Sequence, residues 1–205
     1  MIQILELIKH LGLGIVSLIL LLHITMDEYG KAKDFLKTIQ DVKSQYSQDS
    51  FEASVPDEFI LSIATAETGN FKFEGADTAR RANNYFGLQA IGNQPFILSQ
   101  DPTKKAKVRA FDTPEDSVKG FLDLMKTGDN YQGVRDAIDK GDDVINYFDH
   151  LGKYAEKEDY GEYLKDVYVT RVLSFMQPKS ENDKLIFPKR KPIKSQMQDL
   201  NKYSP

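Results

Sequence analysis

The chain has 205 residues, of which 40% are apolar, 11% aromatic and 28% charged, the composition of a globular protein and not of a collagen-like or disordered one. With 27 Lys and Arg against 31 Asp and Glu, the formal net charge is -4, which excludes the basic excess of a dedicated nucleic-acid-binding protein. The chain has no cysteine and three histidines, so any acid–base chemistry has to come from carboxylates or tyrosines.

The first predicted element is an apolar segment near the N-terminus. Leu11 to Met26 comprises sixteen mostly apolar residues, slightly below the roughly 17 to 25 residues of a membrane-spanning helix and about the length of a signal-peptide core. No A-x-A cleavage sequence follows it, and it has no polar face. The segment therefore predicts an uncleaved signal anchor within residues 1–28, with a buried core helix as the alternative.

Two helices are expected next. Between residues 31 and 46, apolar residues recur at helical spacing and predict an amphipathic helix that packs on the domain. This helix and a polar linker make up residues 29–50. Pro56, followed by two acidic residues, then begins a shorter helix that ends at Gly69.

The predicted secondary structure changes twice in the middle of the chain. Residues 70–112 are rich in Gly and Asn, show little periodicity, and predict loops with a short hairpin that ends at residues 108–111. Helices return at Thr113, which begins a sequence similar to a capping box. Further helices are expected near residues 132–140, 143–151 and 160–176.

The C-terminal tail at residues 178–205 is basic, with seven Lys and Arg against three Asp and Glu and hence a net charge of +4. A charged end that contains proline predicts a flexible, solvated tail. The alternative is a tail that contacts acidic polymers or phospholipid head groups.

A carboxylate at the end of the shorter helix is the most informative feature. Glu67 continues the stripe formed by Ile60, Ile63 and Ala64, so its side chain is expected to point toward the protein at the last helical turn. Partial burial and the negative end of the helix dipole both disfavour the carboxylate and raise its pKa. A raised pKa is what a general acid needs near neutral pH. The alternative is a surface glutamate at a frayed helix end.

A second candidate site is the loop Asn83-Asn84-Tyr85-Phe86-Gly87. Proteins recognise sugars with flat apolar rings beneath their C–H groups and with amides that hydrogen-bond hydroxyls and acetamides. The loop therefore has the chemistry of a glycan subsite. The same residues are equally consistent with a turn that plugs the core.

These segments and several others occur in an order that resembles a known family. The order is Ala66-Glu67-Thr68-Gly69, Asn83-Asn84-Tyr85-Phe86-Gly87-Leu88, Val108-Arg109-Ala110-Phe111, Pro114-Glu115-Asp116-Ser117, Tyr131-Gln132-Gly133-Val134, and Tyr154-Ala155-Glu156 with Tyr160 and Leu164. Over residues 52–176 it resembles the peptidoglycan-cleaving endo-β-N-acetylglucosaminidases of glycoside hydrolase family 73, most closely their Bax-like branch.

The resemblance implies a fold and a reaction. The fold is a mainly α, lysozyme-like domain at residues 51–177, with a small loop and β-hairpin lobe formed by residues 70–112. The reaction is hydrolysis of the β-1,4 bond after N-acetylglucosamine in peptidoglycan glycan strands, without a metal or organic cofactor. The family's catalytic acid corresponds to Glu67, and the tyrosine beside that acid corresponds to Tyr154. The family's substrate-contacting loop corresponds to Asn83, Asn84, Tyr85 and Phe86.

The chain departs from the family pattern at two places. Many relatives have Trp-Gly after the glutamate segment, whereas this chain has Asn70-Phe71, so the aromatic wall has to come from Phe71 or Phe73. The region where a second carboxylate is usually found is short, and it offers Asp101 as the first candidate, followed by Glu74 and Asp77. The substrate's 2-acetamido group, oriented by Tyr154, is the alternative to a second carboxylate.

The implied substrate and the apolar N-terminus together predict a protein anchored in the inner membrane that faces the periplasm or cell wall. Two functions of other classes stay open at this stage. One is a catalytically inactive glycan-binding or scaffold module of the cell envelope. The other is a membrane-anchored adaptor whose helices and basic tail bind another protein.

Overall fold

A computed structural model describes residues 28–72, 77–99, 106–155 and 158–176. The predicted membrane anchor, the candidate carboxylates Glu74 and Asp101, and the basic tail lie outside these residues. No helix in the described ranges is both long enough and apolar enough to cross a membrane.

The described chain is mainly helical, with one small hairpin, in agreement with the predicted fold class. The first helix, α1, covers residues 28–43. It is followed by α2 Phe51–Ser54, α3 Asp57–Glu67 and α4 Asp77–Ala82, by strands β1 Phe96–Leu98 and β2 Lys107–Arg109, and by α5 Pro114–Thr127, α6 Gln132–Lys140, α7 Val144–Tyr147, α8 Tyr160–Val167 and α9 Leu173–Met176. Two 3-10 turns, Asp129–Tyr131 and Phe148–His150, precede α6 and follow α7, and a π-helical segment, Tyr168–Val172, joins α8 to α9.

The hairpin is tied to the loop that carries the candidate glycan subsite. β1 and β2 are antiparallel, with Ile97 opposite Val108. On its other side, β2 hydrogen-bonds the segment just after that loop, because the Arg109 N–H donates to the Leu88 carbonyl at 2.9 Å and the Ala90 N–H donates to the Lys107 carbonyl at 2.9 Å. The hairpin and the loop therefore form one lobe.

Helix α3 is the centre of the core. Its residues from Phe59 to Thr65 are all buried, and it packs against α7, α8 and the π-helical segment. A helix buried on every side has no water to satisfy its polar side chains. Ser62, Thr65 and Thr68 solve this locally, because each hydroxyl donates a 2.7 Å hydrogen bond to the carbonyl four residues earlier.

Helix α1 belongs to the same core. Its apolar face, spaced as the sequence predicts, consists of Ala32, Phe35, Ile39 and Val42, and all four side chains are at most 4% exposed. At its N-terminal end, the buried Glu28 carboxylate pairs with Lys72, with 3.2 Å between Oε1 and Nζ. The helix is thus attached along its whole described length.

Candidate active site

Glu67 is the last residue of α3, and its carboxylate is enclosed by two neighbours. The Tyr160 hydroxyl, at the start of α8, donates a short hydrogen bond to Oε1. Gly87 lies against the other oxygen so closely that a Cβ at this position would be 2.8 Å from Oε2. Burial raises the pKa of Glu67, and the hydrogen bond from Tyr160 opposes part of that rise. The result is a carboxyl poised to hold a proton at higher pH than an exposed glutamate.

The turn after α3 carries the chain away from Glu67 in an uncommon conformation. Gly69, Asn70 and Phe71 have φ values of 60°, 63° and 60°, which is the left-handed region that bulky residues rarely occupy. Two hydrogen bonds hold the turn: Asn70 N–H donates to the Thr65 carbonyl at 2.8 Å, and Phe71 N–H donates to the Thr68 hydroxyl at 3.0 Å. The turn directs Phe71 into the core, where it is 1% exposed.

The two asparagines of the loop are engaged with the backbone. Asn83 Nδ2 donates to the carbonyls of Phe111 and Asp112 at 3.1 and 2.9 Å. Asn84 Nδ2 donates to the carbonyls of Leu88 and Arg109, both at 2.8 Å, and its Oδ1 accepts from the Leu88 N–H at 2.9 Å. These bonds fix the loop to β2 and to the segment before α5.

The two aromatic residues of the loop have different surroundings. The Phe86 ring is fully buried and stacks on Phe121 of α5, with 4.4 Å between ring centroids and 18° between planes. The Tyr85 ring is partly exposed and stacks on Phe35 of α1, also at 4.4 Å, with 20° between planes. Tyr85 is therefore the aromatic residue of this loop that reaches the surface.

Burial divides the expected substrate-binding residues into two groups. Phe71, Asn84 and Phe86 are at most 1% exposed, so they offer no face to a glycan in this structure. They shape the loop and the turn around Glu67, as in the alternative reading of a turn that plugs the core. Asn83 and Tyr85 are partly exposed, and they are the two residues of the set that can still touch a substrate directly.

Tyr154 reaches Glu67 through other residues. Its hydroxyl donates a 2.6 Å hydrogen bond to the Phe86 carbonyl, and its ring is parallel to that of Tyr160, with 5.8 Å between centroids and 6° between planes. Burial raises the pKa of Tyr154, and burial together with the Glu67 charge raises the pKa of Tyr160. Both phenols therefore stay neutral and act as hydrogen-bond donors.

Tyr160 is the residue of this site that the sequence analysis left without a role. It occurred only as one of the ordered positions of the family resemblance, six residues after Tyr154. Tyr160 begins α8, which packs on α3. The sequence places this tyrosine at the start of a predicted helix, but it does not say which helix end lies opposite.

Among the side chains that the structure describes, no carboxylate is found beside Glu67, and the side chain of the candidate Asp77 lies outside them. Neither β1, with the sequence FIL, nor β2, with the sequence KVR, contains an acidic residue. The pKa of Glu67 is raised by burial and lowered by the hydrogen bond from Tyr160. No cluster of three or more His, Asp or Glu side chains suitable for a metal ion occurs among the described residues.

The chain matches a model of a known protein family. The family model for glucosaminidase, described as mannosyl-glycoprotein endo-beta-N-acetylglucosaminidase, matches residues 43–171, which is more than half of the chain. No curated protein matches the chain.

Three solved structures are similar to the chain. A peptidoglycan hydrolase from Sphingomonas sp. A1 is 19% identical, with a TM-score of 0.55 over 74% of this chain and 99% of that one. A chain of a type VI secretion system effector–immunity complex from Pseudomonas protegens is 22% identical, with a TM-score of 0.48 over 71% and 93%. A glycoside hydrolase domain of Salmonella typhimurium FlgJ is 19% identical, with a TM-score of 0.45 over 67% and 95%. The first similarity shows a shared fold and agrees with the predicted lysozyme-like domain.

Proposed function

The chain belongs to the glucosaminidase family of endo-β-N-acetylglucosaminidase glycoside hydrolases, and from this premise we propose that it hydrolyses the β-1,4 bond after N-acetylglucosamine in bacterial peptidoglycan, with Glu67 as the general acid. The observation that carries the proposal is the environment of Glu67, whose carboxylate is enclosed, raised in pKa, and in contact with a tyrosine hydroxyl. A glycosidase acid needs this combination, because it has to be protonated when substrate arrives.

The two carboxylate oxygens have different tasks in this mechanism. Oε1 accepts the Tyr160 hydroxyl hydrogen bond, so the transferable proton belongs on Oε2. Oε2 lies against Gly87, where a Cβ would come within 2.8 Å of it, and in this proposal the glycosidic oxygen approaches Oε2. Glu67 then protonates that leaving oxygen while positive charge develops on the anomeric carbon.

Tyr154 supports the same step by holding the loop. Its hydroxyl fixes the Phe86 carbonyl, one residue before Gly87, and its ring stacks on Tyr160, so it sets the position of both neighbours of Glu67. Asn83 and Tyr85 supply the polar and aromatic contacts to the sugar. The chemistry needs no metal and no organic cofactor.

Two routes complete the reaction, and they differ in stereochemistry. If Asp101 activates a water molecule on the opposite face of the sugar, the product has inverted anomeric configuration. If the substrate's 2-acetamido group attacks the anomeric carbon, configuration is retained. Proton NMR of the freshly released anomer distinguishes the routes, and Asp101→Asn abolishes activity only in the first.

Peptidoglycan is the preferred substrate in this proposal because the chain shares its fold with a peptidoglycan hydrolase. Such a substrate requires that the domain lies outside the cytoplasm. We therefore place it in the periplasm or at the cell wall, held to the inner membrane by the apolar segment within residues 1–28.

The test is to incubate the protein with purified peptidoglycan, reduce the released fragments with borohydride and identify their reducing ends by mass spectrometry. The expected result is new reducing N-acetylglucosamine ends, and a glycoprotein with N-linked glycans, incubated in parallel, is expected to be cut more slowly. Reducing N-acetylmuramic acid ends would contradict the proposal. Co-sedimentation without cleavage would indicate a binding module, and neither cleavage nor binding would indicate an adaptor.

A further inference from the structure

Helix α1 contributes to the site although it lies outside the family match. The match begins at residue 43, whereas α1 covers residues 28–43 and buries four apolar side chains in the core. The family model therefore does not cover α1, although α1 packs in the same core as the matched residues. The contacts of α1 decide whether the helix only stabilises the fold or also supports the candidate site.

Phe35 is the residue of α1 that meets the two segments around Glu67. Its ring lies 5.7 Å from that of Phe71, in the turn that follows Glu67, and 6.0 Å from that of Phe86, next to Gly87. Its closest ring contact is with Tyr85, stacked at 4.4 Å. Phe35 thus packs against both the turn that follows Glu67 and the loop that lies beside its carboxyl.

Tyr85 depends on two other elements for its position. Its backbone N–H donates to the Ser117 hydroxyl of α5 at 3.2 Å, which fixes the main chain, and Phe35 supports the ring. Phe35 is 4% exposed while Tyr85 is partly exposed, so the supporting ring is hidden and the supported residue reaches the surface. A ring held in this way loses little freedom when a sugar packs on it.

We propose that Phe35 is a positioning residue for substrate: it holds the Tyr85 ring as the aromatic platform on which an N-acetylhexosamine unit of the glycan packs. The inference rests on the proposed function for the identity of the glycan. It assigns to α1 a contribution to substrate affinity in addition to its part in the core.

The test is a double-mutant cycle in the full chain, with Phe35→Leu, Tyr85→Leu and the two combined. Michaelis parameters are measured on soluble peptidoglycan glycan strands, and melting temperatures are measured for each variant. Phe35→Leu is expected to raise KM about 3- to 10-fold with little change in kcat, which is the range expected for one aromatic contact. The combined variant is expected to match Tyr85→Leu alone, because the support is useless without the platform.

Ile39→Val is the matched control, since Ile39 lies one helical turn further along the same buried face. It is expected to lower the melting temperature without changing KM. If Phe35→Leu does not fold, Phe35→Met replaces it, because the unbranched, flexible methionine side chain fills an irregular gap in a core more readily. A KM effect equal to that of Ile39→Val, or independent effects of Phe35 and Tyr85, would overturn the inference.

Binding in a Glu67→Gln background separates this inference from the proposed function. The same four Phe35 and Tyr85 combinations are titrated with the same glycan strands, and no turnover is needed. Coupled losses of affinity without any hydrolysis by the parent protein would support the platform and refute the enzyme. Hydrolysis by the parent protein, with independent effects of Phe35 and Tyr85 on affinity, would support the enzyme and refute the platform.

Discussion

At the scale of single residues, Glu67 owes its properties to two contacts that come from distant parts of the chain. Tyr160 donates to one oxygen, and Gly87 lies against the other. The inward direction of Glu67 follows from its spacing to Ile60 and Ile63, so the sequence predicts it. The contacts themselves do not follow from spacing, because they depend on how α8 and the loop pack on α3.

The same limit applies to the loop residues, because the sequence does not say which of them are buried. An aromatic ring or an amide in a loop can serve a sugar or the interior equally well, because both uses need apolar area and hydrogen bonds. Phe86 and Asn84 are buried in the interior, whereas Tyr85 is partly exposed. Only the tertiary packing decides between these outcomes.

Gly87→Ala tests the close approach of Gly87 to the Glu67 carboxyl. The added Cβ would lie 2.8 Å from Oε2 and would displace the carboxyl, and φ is +63°, which costs an alanine about 1 to 2 kcal/mol. Activity on peptidoglycan is expected to fall about 10- to 100-fold. The matched control is Gly92→Ala, where φ is +58° and no atom lies within 4 Å of the new Cβ. Comparable activities of the two variants at comparable melting temperatures would contradict this role of Gly87.

Tyr160→Phe tests the hydrogen bond to Glu67 through the pH dependence of the rate. Only the protonated acid works, so the rate falls as pH rises through the Glu67 pKa. The Tyr160 hydroxyl lowers that pKa by stabilising the carboxylate, so its removal raises the pKa further and moves the alkaline limb of kcat/KM to higher pH. Tyr163→Phe, one turn along α8, serves as the control. An alkaline limb that stays in place or moves to lower pH in Tyr160→Phe would contradict the assignment.

At the scale of elements, the helices with clear end signals were predicted most accurately. The expected helix at residues 132–140 is α6, which ends at Gly141 with φ 69°, and the expected start at Thr113 is the N-cap of α5. The predicted helix near residues 160–176 contains a π-helical segment at Tyr168–Val172 that no sequence signal indicated. That segment packs on α3, so the change from α-helical to π-helical geometry occurs where the chain contacts the central helix.

Thr113→Ala tests the cap of α5, the helix that carries Phe121 and Ser117 beneath the loop. The Thr113 hydroxyl accepts from the Asp116 N–H at 3.1 Å, and loss of such a cap costs about 1 kcal/mol. We expect a melting temperature about 2 to 4 °C lower. Thr127→Ala at the other end of α5 removes a hydroxyl bonded to a carbonyl within the helix, and it should change the melting temperature less. Equal effects in the two variants would mean that the cap adds nothing.

At the scale of the whole molecule, the structure assigns α1 to the same core as the family-matched region. Removal of residues 1–26 leaves the Glu28–Lys72 ion pair and every buried residue of α1 in place. We expect this truncated chain to fold, to stay in solution without detergent and to keep full activity on peptidoglycan fragments. Removal of residues 1–43 exposes the rings that Phe35 covers and should lower the melting temperature strongly.

The truncation also tests the proposed membrane anchor. Fractionation of cells that express the full chain is expected to place it in the membrane fraction, and the chain without residues 1–26 in the soluble fraction. Aggregation of the shorter chain, with a full chain that is soluble without detergent, would show that the N-terminal segment belongs to the core.

The most direct measurement of the central claim is the turnover of purified peptidoglycan by Glu67→Gln, measured with its binding and stability. The amide keeps the shape of the side chain but cannot donate the proton, so reducing-end release should fall about 100-fold or more while co-sedimentation with peptidoglycan persists. Because burial raises the Glu67 pKa in the folded protein, the native carboxyl costs stability as pH rises through that pKa, and the variant should melt no lower than wild type at pH 8. A folded Glu67→Gln protein that releases reducing ends at the wild-type rate would contradict the account.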